Sequence, residues 1–162
     1  RRQRQMCIRD RKINGAIFPG TQGGPLMNII AAKAQCFVEA NTQEFRDYIT
    51  AVKNSAKLLA DGLKMGGYTI ATGGTDSHIV LVDLSDKEIS GREAADLLEE
   101  HGITCNKNGI PNDPRSFVET SGIRLGTAAE VTRGRSLEWF LNLGHRIAKI
   151  LDRNLEIQYN KT

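Results

Sequence analysis

IVLVDLSDKEISGREAADLLEEHGITC, residues Ile79–Cys105, is the stretch on which the fold is read. Ile79–Leu84 is apolar on both faces, the pattern of a strand inside a packed layer. Ser90 followed by Glu93 is a capping box, in which each residue satisfies a backbone N–H of the first helical turn. The helix it opens carries Ala94, Leu97 and Leu98 at helical spacing and stops at Gly102. Ile103–Cys105 then predicts a short strand. Strand, helix and strand within so short a span predict a compact two-layer α+β unit, with helices on one face of a small sheet.

Working outward, Thr69–Thr72 predicts another strand, and Gly122–Gly126 (GIRLG) a fourth, with an arginine inside it. Between them residues 106–120 form a polar loop holding Pro111 and Pro114. Leu137, Leu141, Gly144, Ile147, Ala148, Leu151 and Leu155 mark a final helix. Upstream, residues 13–25 (INGAIFPGTQGGP) predict a Gly- and Pro-rich loop. A helix with Ile30, Ala34, Phe37 and Val38 on one face follows it. A longer helix starts near Asn41, with Asn41 and Glu44 as a capping box, and ends at Gly66 and Gly67. Its stripe is Phe45, Ile49, Val52, Ala56, Leu59 and Leu63. These two helices have no sheet of their own, so residues 13–65 are expected to belong to a larger body.

Composition narrows the function classes. The 162 residues are 40% hydrophobic and 25% charged, which is globular rather than disordered. No apolar run suits a membrane span, and no apolar segment follows the basic start as a secretory leader requires. Cys7, Cys36 and Cys105 are odd in number and far apart, as are His78, His101 and His145, so neither a disulfide framework nor a zinc site is expected. A reducing compartment, the cytoplasm, fits best. The net charge of +3 is concentrated in residues 1–12, where Arg1, Arg2, Arg4, Arg9, Arg11 and Lys12 face only Asp10. That stretch lacks an apolar period and is set aside as a non-native or disordered basic tail.

Four groups of residues carry candidate chemistry. Gly20–Pro25 (GTQGGP) lies ahead of a helix, where backbone N–H groups and close approach suit an anion, although a plain tight turn has the same composition. Arg124 sits between Ile123 and Leu125, and its partner is either a ligand carboxylate or a nearby Asp or Glu. Asn106, Lys107 and Asn108 offer donors and acceptors suited to a heterocycle, or simply a turn. Asp76 and His78 could meet as an acid–base pair, but a turn feeding the next strand accounts for them. Trp139 and its aromatic neighbours are expected in the core.

Taken in order, FPGTQGGPLM (Phe18–Met27), GGTDSHIVLVDL (Gly73–Leu84), ITCNKNGIPNDP (Ile103–Pro114) and TSGIRLGTAAEVTRG (Thr120–Gly134) resemble the serine hydroxymethyltransferases. The resemblance spans residues 13 to about 155. It implies an α/β fold, namely part of a type I pyridoxal-phosphate-dependent transferase. Residues 13–65 would be the end of the large domain and the connecting helix, and residues 66–162 the C-terminal small α+β domain. It implies reversible transfer of the serine hydroxymethyl group to tetrahydrofolate, giving glycine and methylenetetrahydrofolate, with pyridoxal 5'-phosphate as cofactor. On this resemblance Arg124 binds the substrate carboxylate. Gly23 and Gly24 approach the cofactor phosphate from a neighbouring subunit of a homodimer, and Asn108 contacts folate. Neither nucleic acid nor membrane is an implied partner. Three positions depart from the family pattern: Asn28 for histidine, Ser77 for asparagine and Ala128 for proline. The His-Lys segment that supplies the family's cofactor lysine is not among these residues, so the chain alone is expected to be inactive. Two rivals remain: a non-catalytic small-domain module binding folate or a partner chain, and another type I pyridoxal-phosphate enzyme. The pairing of NKN with SGIR argues against the second.

Overall fold

A computed structural model describes residues 2–159. The chain divides into two compact units, residues 1–42 and 43–162. In the first, α1 (Arg2–Gly15) runs into helical turns over Ala16–Thr21. These turns break at Phe18, whose backbone is extended (φ −132°, ψ 123°). Pro19 is the cause, since a proline excludes helical geometry from the residue before it. The loop expected over residues 13–25 is therefore confined to the few residues after Thr21. The second helix, α2 (Met27–Ala40), has no buried residue.

The second unit is a two-layer α+β body. Its elements are α3 (Gln43–Met65), β1 (Thr69–Ile70), β2 (Ile79–Asp83), α4 (Gly91–Glu100), β3 (Asn106–Asn108), β4 (Gly122–Gly126), α5 (Ala128–Thr132) and α6 (Leu137–Tyr159). The four strands form one antiparallel sheet in the order β1-β2-β4-β3. Ile70, Val80, Val82, Ile123 and Leu125 turn one face of it into the core. There they join Leu59 and Leu63 of α3, Ala94 and Leu98 of α4, and Phe140, Ile147 and Leu151 of α6. Ser90 and Glu93 form the expected capping box at the start of α4, and the Ser90 N–H holds the Glu93 carboxyl below its ordinary range.

Other elements also differ from the reading of the sequence. The edge strand is Asn106–Asn108, not Ile103–Cys105. An edge strand needs backbone pairing on one side only, so polar side chains serve there. The helix α5 is too short for its periodicity to register. Asn41 closes α2, with its N–H on the Phe37 and Val38 carbonyls, and α3 opens at Gln43. Finally, Val52, Ala56, Leu59 and Leu63 of α3 are buried within the second unit. The main partner of that stripe is α6, across a seam where backbones touch. A Cβ added at Gly62 would lie 2.3 Å from the Leu141 carbonyl oxygen, and one at Gly144 would lie 2.6 Å from that of Leu59. Side chains tie the same layer: the buried Thr127 hydroxyl donates to the Val52 carbonyl (2.9 Å), and the Tyr68 hydroxyl to Asp152 Oδ1 (2.8 Å). Trp139 is half-buried against the core, edge-on to Phe140, with the Arg135 guanidinium 5.0 Å from its ring.

Candidate functional site

Alternation along a strand decides which residues share the sheet's other face. Ile123 and Leu125 point to the core, so Arg124 between them points away from it and is exposed. The register places Arg124 between Leu81 of β2 and Asn106 of β3. The next row on the same face is Asp83, Gly122 and Asn108. Asn108 is thus a diagonal neighbour of Arg124, a relation that separates residues by roughly 7–8 Å. Two of the residues singled out from sequence therefore share one open surface. Among the described residues the Arg124 guanidinium makes no ion pair or hydrogen bond. The Asn108 amide donates to the Gly109 carbonyl (2.7 Å), which steadies the side chain and leaves its oxygen as an acceptor.

Gly122 is tightly enclosed. A Cβ there would meet the Asn108 carbonyl oxygen at 2.8 Å, Ile110 Cγ2 at 2.8 Å and the Val82 carbonyl oxygen at 2.9 Å. The loop that follows β3 is held by two residues that sequence reasoning passed over. The Asp113 carboxylate accepts the N–H groups of Ile110 (3.2 Å), Arg115 (2.9 Å) and Ser121 (2.9 Å). Hydrogen bonding by the Ser121 side chain first, and then by these N–H groups, brings its pKa down to about 2. The Arg115 guanidinium donates to the Leu84 carbonyl (3.1 Å), the Ser121 hydroxyl (3.2 Å) and the Lys87 carbonyl (2.7 Å). Asn-Asp-Pro at residues 112–114 is a turn signal, and that was the only trace of this arrangement in the sequence.

The remaining candidates fall elsewhere. Gly23 and Gly24 lie in the first unit, ahead of α2, whose first turn has no side-chain cap. A Cβ at either glycine would meet nothing within 4 Å. Asp76 and His78 are both exposed, and the loop around them is tied by its own hydroxyls. Thr75 donates to the Ile79 carbonyl (2.7 Å), and Ser77 accepts the Ile79 N–H (3.2 Å). Among the described residues no three His, Cys, Asp or Glu are grouped to hold a metal ion, and no helix is long and apolar enough to cross a membrane.

Comparison with known proteins adds a family. The family profile described as serine hydroxymethyltransferase matches residues 3–147. The chain is similar to the serine hydroxymethyltransferase of Rickettsia akari (strain Hartford), with 55% identity over 142 residues, 88% of this chain and 34% of that protein. It is similar to that of Rhodospirillum centenum (strain ATCC 51521 / SW), 53% identical over 142 residues, 88% of this chain and 33% of that protein. It is also 57% identical over 141 residues to that of Rickettsia rickettsii (strain Sheila Smith), 87% of this chain and 34% of that protein. The chain thus spans about a third of the length of the curated relatives it matches.

Proposed function

The chain belongs to the serine hydroxymethyltransferase family, and from that premise we propose that the protein carrying it transfers the serine hydroxymethyl group reversibly to tetrahydrofolate, giving glycine and methylenetetrahydrofolate. The observation that carries the reading is Arg124, a guanidinium that pairs with no carboxylate among the described residues, on the same sheet face as Asn108. Arg124 would grip the amino acid carboxylate through two parallel hydrogen bonds, which fixes the substrate's orientation as well as its affinity. The acceptor oxygen of Asn108 would take an N–H of the folate ring. Gly23 and Gly24 would present backbone N–H groups to the phosphate of pyridoxal 5'-phosphate in a homodimer. When bound, that cofactor supplies an electron sink for the amino acid. On this reading residues 13–65 are the end of the large domain and the connecting helix, and residues 66–162 are the small domain; the basic stretch before them is helical in α1 and lies within the family match from residue 3, which does not suit a disordered or non-native tail. The protein works in the cytoplasm. These 162 residues alone are inactive, because the family's cofactor lysine is not among them.

The test is to express the complete gene product with pyridoxal phosphate and to follow the cofactor's absorbance as glycine is added. The unmodified protein should show a saturable shift. Arg124→Ala should raise the glycine dissociation constant at least tenfold, since a charge-assisted hydrogen bond contributes about 1.5–3 kcal/mol. A shift unaltered in Arg124→Ala would overturn the carboxylate role. Folate binding with no cofactor uptake would favour the non-catalytic module.

A further inference from the structure

The two strands that carry Arg124 and Asn108 are joined at their ends by one carboxylate. Asp113 accepts the N–H of Ile110, two residues after Asn108, and the N–H of Ser121, three residues before Arg124. Ser121 is fully buried and lies between the end of β2 and the start of β4. Its carbonyl accepts the Leu84 N–H (2.7 Å), just past β2, and its hydroxyl accepts from Arg115. Arg115 in turn is aligned by its own N–H on Asp113 and reaches the Leu84 and Lys87 carbonyls. Gly122, the next residue, leaves no slack between β3 and β4. Asp113 and Arg115 both lie in the connection between β3 and β4, outside either strand.

We propose that Asp113 is a positioning residue that couples the two subsites, fixing the Asn108 strand against the Arg124 strand so that amino acid and folate are held in one relative placement. This rests on the reading of Arg124 and Asn108 given under Proposed function. Charge matters to the device. A carboxylate offers acceptors alone, enough for three N–H groups at once, whereas an asparagine in its place would turn a donor toward one of them. A displacement of about 1 Å in groups that orient a reactant costs up to about 100-fold in rate, and a loosened clamp also weakens the contacts that Arg124 and Asn108 offer to both ligands.

The complete enzyme should be prepared with Asp113→Asn, and its dissociation constants for glycine and for tetrahydrofolate measured by calorimetry. Both are expected to rise about tenfold. Arg124→Lys should weaken glycine alone and Asn108→Ala should weaken folate alone. Asp113→Glu should recover part of both losses. If Asp113→Asn does not fold, Arg115→Lys carries the same test, since it keeps the charge but loses the forked contact to Leu84, Ser121 and Lys87. A variant with a lowered melting temperature and either constant unchanged would overturn the coupling and leave Asp113 a structural residue. If the unmodified enzyme binds neither ligand, the functional reading fails first and the proposal falls with it.

Discussion

Cys105 shows how placement alone sets reactivity. It follows Ile103 out of the core and stays half-buried, and desolvation, aided by Glu99, pushes its thiol up to about 11 from 9.0. The thiolate is the reactive species, so near pH 8 alkylation should run about 100-fold slower than at an unshifted thiol. Cys7 and Cys36 are exposed. Mass spectrometry after brief iodoacetamide treatment should find both labelled and Cys105 spared, and equal labelling would refute the burial. The proton on Cys105 is held more tightly in the folded chain, so its contribution is complete below pH 9.0 and is lost as pH rises through about 11. At this scale the site was half legible. An arginine flanked by Ile123 and Leu125 implies an anionic partner from chemistry alone, and among the described residues no carboxylate pairs with it. Asp113 and Arg115 could not be foreseen. Their partners are backbone groups brought near by the loop's path, and no side-chain pattern encodes that.

Among elements, legibility followed the strength of the local signal. The helix α4 announces itself because its cap and its stripe are both close in sequence. Val80 and Val82 mark β2 through burial. The polar β3 was displaced by three residues, because an edge strand is defined by its backbone partner and not by its apolar content. The stripe of α3 was plain, but its complement in α6 lies some eighty residues on, beyond the reach of periodicity. That pairing makes a test. Gly144→Ala puts a methyl group against the Leu59 carbonyl oxygen and the Leu63 nitrogen, 2.6 and 2.8 Å away. Overpacking of this kind costs about 1–3 kcal/mol. Thermal unfolding followed by circular dichroism should show the loss. Gly74→Ala, where the nearest atom is the flexible Lys64 Nζ at 3.6 Å, should stay within about 0.5 kcal/mol. If both variants melt together, the backbone seam is not what holds the two helices at contact distance.

For the whole chain, the two units differ in how much apolar surface they hide. In the second, every buried side-chain polar atom among the described residues has a partner, and the core is continuous from α3 to α6. In the first, Leu26, Met27, Phe37 and Val38 are each between 64% and 72% exposed. A face of that kind promotes association in water. Sedimentation velocity on the 162-residue chain should therefore show species that grow with concentration, and Phe37→Ser with Val38→Ser should shift them toward monomer. A strictly monomeric chain at all concentrations would contradict this. The α3–α6 seam also bears on biosynthesis. The unit's first helix and its last are each other's chief partners. At roughly 5–20 residues per second, a ribosome that has released Leu63 needs several more seconds to deliver Leu151. For that interval the buried stripe of α3 is an open greasy strip on a nascent chain, the point in the protein's life at which a chaperone has most to hold.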